Sequence, residues 1–92
     1  MDAMAAGCEH ADSLGATQPA PRTPEGCGGC LAIGEHHWAH LRLCLTCGNV
    51  GCCDSSPRRH ATAHFHESAH PVMRSFEPGE SWRWCYVDDR LV

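Results

Sequence analysis

Cys27-Gly28-Gly29-Cys30, followed by Cys44-Leu45-Thr46-Cys47, then Cys52, His60, His64 and His70-Pro71, is the stretch whose reading decides the fold. A Cys-x2-Cys knuckle delivers two thiolates from one tight turn, and this chain carries two such knuckles. Four sulfur or nitrogen donors arranged in a tetrahedron are what a structural zinc ion requires. His60 and His64 lie four apart, so on a helix they project from one face. Either knuckle alone would be a moderate signal. Together with the paired histidines they point to metal ligation.

Composition makes the same demand from another side. The 92 residues suit a single domain, and 42% of them count as hydrophobic. Of those 39 residues, 19 are Ala or Cys, and Leu, Ile, Val and Phe together number only 13. So few aliphatics cannot offset the entropy of ordering the backbone, and the fold needs staples. The 8 Cys and 8 His supply candidates. A formal charge of −4 argues against binding a phosphate backbone. No apolar run approaches a membrane span, and Met1–Gly15 lacks a secretion signal. These features suggest a cytoplasmic monomer, in a compartment where thiols stay free or bind metal. A disulfide framework would leave the histidines unexplained. A thioredoxin-like redox pair at Cys27/Cys30 would need a βαβ context that is missing.

The expected architecture is a small α+β zinc-stapled domain spanning 1–92, one main helix packed on a short antiparallel sheet. A flexible Pro-rich segment is expected at about 11–25, after a short Cys8-Glu9-His10 element. Strands are expected through Trp38–Leu43 and Asn49–Val50. Ser55-Ser56-Pro57 reads as a hydroxyl N-cap with proline at the first helical position, opening a helix to about Glu67. Pro71–Phe76 and Ser81–Val87 read as a hairpin around Glu77-Pro78-Gly79-Glu80.

The spacing from Cys27 to His70-Pro71, with Cys8-x-His10 and Trp84-Cys85, resembles the UBP-type zinc finger of ubiquitin-specific proteases and a cytoplasmic histone deacetylase. In scale it is similar to small stand-alone UBP-type proteins of actinobacteria. The resemblance implies an interleaved pairing: Cys27, Cys30, Cys52 and His60 on one zinc, and Cys44, Cys47, His64 and His70 on a second. A third family site would use Cys8, His10, Cys85 and a cysteine three residues later, where this chain has Asp88. A Cys2HisAsp site, a site completed by water and a half-built site all remain open. Cys53 reads as a spare or structural thiol. His36, His37, His40 and His66 read as solvated or packing residues.

In ubiquitin-reading members the resemblance implies a pocket for a free C-terminal carboxylate. Its arginine falls at Asp54, a tryptophan at Arg42 and an aromatic at Leu91, leaving Trp84 as the match. Asp in place of Arg repels a carboxylate, which argues against ubiquitin-tail binding. The expected function is therefore a non-catalytic module recognising an unidentified protein or peptide, with Arg42, Asp54 and Trp84 as candidate partner-binding residues. The acidic residues favour a partner that presents Arg or Lys. Two alternatives are a ubiquitin-like-tail binder and a zinc-dependent hydrolase built on the irregular third site. Two zinc ions are expected, with a third possible.

Overall fold

The computed structural model describes residues 8–14 and 18–92. In chain order the elements are α1 (Glu9–Asp12), α2 (Gly28–Ala32), β1 (Leu41–Cys44), β2 (Val50–Cys52), α3 (His60–Ser68), β3 (Val72–Ser75), β4 (Arg83–Cys85) and β5 (Arg90–Leu91). The strands form one antiparallel sheet in the order β2-β1-β3-β4-β5. This is the expected α+β architecture, with one nine-residue helix as its main helical element.

Register fixes the two faces of the sheet. Leu43 stands opposite Val50 on one side and Arg74 on the other, while Val72 stands opposite Cys85. Alternation therefore puts Leu43, Val50, Val72 and Cys85 on one face, where they pack with Cys8, Ala11 and Leu45. The opposite face carries Arg42, Met73 and Trp84, since Met73 pairs with Trp84 and Arg42 with Gly51. Helix α3 lies over that face: a Cβ on Gly51 would come within 2.6 Å of the Ala61 amide nitrogen. Glycine at 51 is what lets helix and strand approach so closely.

Among the described residues, Leu43, Val50 and Val72 are the aliphatic side chains that are fully buried, and five cysteines share that burial with them. The thin aliphatic core foreseen from composition is thus the core of the molecule, extended by sulfur.

The hairpin forms as expected. Ser75 N–H donates to the Trp82 carbonyl at 3.0 Å, Glu80 N–H closes the turn on Glu77 at 3.1 Å, and Gly79 takes the left-handed φ of 81°. Strand limits shift by a few residues, and α2 and β5 were not foreseen.

The start of the main helix is a correction. Ser55-Ser56-Pro57 does not cap it; α3 begins at His60, after Arg59 at φ 47°. Ser56 is buried, and its hydroxyl accepts the Ala39 N–H at 2.8 Å, tying two loops together. The first helical amide, His60 N–H, donates instead to Cys52 Sγ at 3.1 Å. A sulfur three-dimensionally close but eight residues away takes the place that a local hydroxyl would fill.

Within the Pro-rich segment, Ala11 is buried in α1, Arg22 N–H donates to the Gly48 carbonyl at 2.9 Å, and Thr23 Oγ1 donates to the Gly26 carbonyl at 2.7 Å. Residues 15–17 lie outside the described residues.

Candidate metal centres

Three clusters each bring four donor atoms within 4.8 Å of one another: Cys27, Cys30, Cys52 and His60; Cys44, Cys47, His64 and His70; and Cys8, His10, Cys85 and Asp88. All twelve metal-ligand candidates fall into these three groups, with the expected interleaving.

The elements that position them are local and simple. Cys27 caps α2 and receives the Cys30 N–H on its sulfur at 3.4 Å, so the first knuckle is one tight turn. In the second knuckle, Gly48 at φ 83° donates its N–H to the Cys44 carbonyl at 2.9 Å. Cys52 ends β2 and His60 opens α3. One turn further along α3, His64 meets His70, which Ala69 returns toward the helix through a left-handed φ of 63°. His64 Nε2 and His70 Nδ1 are 3.3 Å apart.

Donor spacing matches zinc. A tetrahedron with Zn–S near 2.3 Å and Zn–N near 2.0–2.1 Å has edges of about 3.3–3.8 Å. In the first cluster His60 Nδ1 lies 3.2, 3.3 and 3.6 Å from the sulfurs of Cys27, Cys30 and Cys52, and Cys30 and Cys52 are 3.9 Å apart. In the second, Cys44 Sγ is 3.5 Å from His70 Nδ1 and Cys47 Sγ is 3.4 Å from His64 Nε2. In the third, His10 Nδ1 is 3.8 Å from Cys8 Sγ, 3.6 Å from Cys85 Sγ and 3.3 Å from Asp88 Oδ2.

Asp88 occupies a knuckle position. Its N–H donates to Cys85 Sγ at 3.4 Å, as Cys30 N–H does to Cys27. The following residue, Asp89, is left-handed at φ 57° and donates to the Cys85 carbonyl at 2.8 Å, as Gly48 does to Cys44. The backbone after Cys85 therefore repeats the second knuckle, with a carboxylate in place of a thiolate. Carboxylate oxygen is an accepted zinc donor.

Electrostatics point the same way. Burial and the neighbouring Cys27 and Cys52 push the Cys30 thiol up to about 12, and burial raises Cys8, Cys44 and Cys52. Ionising such thiols near neutral pH takes a cation among them, a charge that a bound zinc would supply. The Cys8 thiol and the His10 ring hold the Asp88 carboxyl below its usual range. The residues thus fit the metal, and the three clusters could hold zinc ions.

The remaining candidates stay outside the clusters. His36, His37, His40 and His66 are exposed; His37 contacts Glu35 at 2.9 Å and His40 lies 3.7 Å from Glu77. Cys53 is buried, with its sulfur 3.6 Å from Ser56 Oγ. Trp38 packs beside the first cluster.

Arg42, Asp54 and Trp84 all line one cavity of about 360 Å3 on the α3 face of the sheet. Met73, Thr62, Trp82, Tyr86 and Asp89 line it too and were not foreseen as site residues. Their visible signal was the alternation Trp82, Trp84, Tyr86, which puts three aromatics on one side of a strand.

Comparison with known proteins agrees with the geometry. The chain is 38% identical over 50 residues to the NAD-dependent deacetylase sir2A of Dictyostelium discoideum, covering 54% of this chain and 9% of that one. It is 40% identical over 58 residues to ubiquitin carboxyl-terminal hydrolase 44 of Ailuropoda melanoleuca, covering 63% and 7%. The chain thus spans under a tenth of the length of these relatives. The solution NMR structure of protein RPA1320 from Rhodopseudomonas palustris superposes with a TM-score of 0.82 at 49% identity, covering 96% of this chain and 82% of that one. The family model for the Zn-finger in ubiquitin-hydrolases and other proteins matches residues 27–92. With two knuckles, the α3 histidines and His70 all inside that span, the chain belongs to the UBP-type zinc finger family.

Proposed function

We propose that the protein is a non-catalytic, zinc-stapled module that recognises a protein or peptide partner. Cys27, Cys30, Cys52 and His60 hold one zinc, Cys44, Cys47, His64 and His70 a second, and Cys8, His10, Cys85 and Asp88 a third. The observation that carries this reading is that every cluster offers four donors within 4.8 Å of one another. A catalytic zinc keeps one position open for water or substrate, whereas four protein donors describe a structural one. The hydrolase alternative needs that open position at the third site, and Asp88 stands where it would be, 3.3 Å from His10.

The cavity lined by Arg42, Asp54 and Trp84 supplies the recognition surface, since none of its lining residues belongs to a cluster and it is lined by aromatics. Aromatic side chains with polar tips are typical anchors of such surfaces. No helix among the described residues is long and apolar enough to cross a membrane. Zinc-bound thiolates suit a reducing, cytoplasmic setting.

Mass spectrometry under native conditions tests the metal half of this reading. Three zinc ions per chain are expected. Two per chain would remove the Asp88 cluster as a zinc site, and with it the hydrolase alternative, which needs a zinc there.

A further inference from the structure

The cavity on the α3 face is walled by two chemistries. Trp84 stands opposite Met73 across the β3–β4 pair, and Tyr86 follows two residues later, stacked on Phe65 at 4.7 Å and 12°. Asp54 and Asp89 are the acidic lining residues. Asp54 follows β2 and Asp89 precedes β5, the two outer strands, so the carboxylates come from opposite edges of the sheet. Asp54 Oδ1 accepts the Thr62 hydroxyl at 2.6 Å, which anchors that carboxylate to α3.

One cation is already present. The Arg42 guanidinium sits 4.6 Å over the Trp82 ring and donates to the Leu41 carbonyl at 3.0 Å. It is therefore held against the wall by a ring and a backbone oxygen. Two carboxylates against one guanidinium leave the lining acidic. The molecule as a whole is acidic too: three zinc dications set against seven ligand thiolates take the formal charge from −4 to about −5.

We infer that this cavity binds a cationic side chain, the arginine or lysine of a basic peptide, against Trp84 and Tyr86 within a lining that carries the carboxylates of Asp54 and Asp89. The inference rests on the reading of the chain as a recognition module, and it reverses the ligand charge that the family resemblance implies. Aromatic faces attract a cation through the ring quadrupole, most strongly where water is excluded. Carboxylates add charge-assisted hydrogen bonds, which an arginine fork can make in pairs. Arg42 over Trp82 is the same contact made inside the chain. A cavity of about 360 Å3 accommodates one long side chain.

The test uses the zinc-loaded, 15N-labelled protein and three probes: a short peptide with blocked ends centred on Arg, the same peptide with Lys, and a peptide ending in a free Gly-Gly carboxylate. The Arg and Lys peptides are expected to shift the amide and indole signals of Thr62, Trp84 and Tyr86 saturably, and to do so less as salt rises. Asp54→Asn is expected to weaken binding about tenfold. Arg42→Met removes a competing positive charge and is expected to tighten it severalfold. The opposite response, with the Gly-Gly peptide binding and Arg42→Met abolishing it, overturns the inference and leaves the module reading standing. Silence with all three peptides overturns the inference and removes the cavity as the recognition surface.

Discussion

At the scale of single residues, two neighbouring cysteines show how placement rather than chemistry assigns a role. Cys52 ends β2 with its sulfur 3.6 Å from His60 Nδ1, while Cys53 points its sulfur at Ser56 Oγ, 3.6 Å away. Both are buried. Successive side chains on a strand face opposite ways, so one register step separates a cluster member from a bystander. Cys27→Ser is therefore expected to lose the first cluster and with it the cooperative fold, seen as collapse of NMR dispersion. Cys53→Ser keeps the dispersion and shifts stability by about 1 kcal/mol or less, because a hydroxyl there still reaches Ser56. Asp88 makes the complementary point. A sequence read alone could not say whether it completes a site or merely fills a gap. The hydrogen bonds around it, repeating those of the cysteine knuckles, put it in the fourth donor position.

At the scale of elements, α3 starts on a long-range contact and ends on a local cap. Its first amide bonds Cys52 Sγ, and its end is turned by Ala69 at φ 63°. An L-residue in the left-handed region costs about 1 kcal/mol, and glycine is the usual occupant after a helix. Ala69 is exposed, so removing its methyl group sacrifices little burial. Ala69→Gly is expected to raise stability, partly offset by the greater freedom glycine brings to the unfolded chain, for a net gain of up to about 1 kcal/mol in thermal or denaturant unfolding. The hairpin, in contrast, is local: its turn residues, its left-handed glycine and its alternating strands all lie within 71–87, which is why its limits were readable to within a few residues.

At the scale of the whole molecule, three clusters join parts of the chain that are far apart in sequence. The first ties α2, β2 and α3, the second ties β1 and the turn after it to the middle of α3 and the segment just beyond its C-terminal end, and the third ties α1 to β4 and the turn into β5. Structural zinc contributes about 10–16 kcal/mol in small finger peptides, more than the net stability of an ordinary domain this size. Full chelation is expected to abolish the helical far-UV signal and the NMR dispersion together. The third cluster should empty first as chelator rises, because His10 and Asp88 are each 31% exposed at the side chain whereas the first cluster is largely buried. Native mass spectrometry across a chelator series would show a two-zinc species before the apo chain; direct passage from three to none contradicts it.

The sequence by itself determined that metal staples hold the chain: knuckle spacing, paired helix histidines and an aliphatic deficit agree on zinc ligation, because metal ligation depends on residue types at short, fixed separations; which residues share an ion came from the family resemblance. The hairpin was determined in the same local way. Only the tertiary structure decided where α3 begins, since the sulfur that receives its first amide comes from another strand. It alone set Asp88 in a knuckle and brought Thr62, Tyr86 and Asp89 to the cavity that Arg42, Asp54 and Trp84 line. Those residues come from β1, α3, β4 and the loops between, and no periodicity along the chain encodes a surface that forms only when the sheet is assembled and α3 is laid across it.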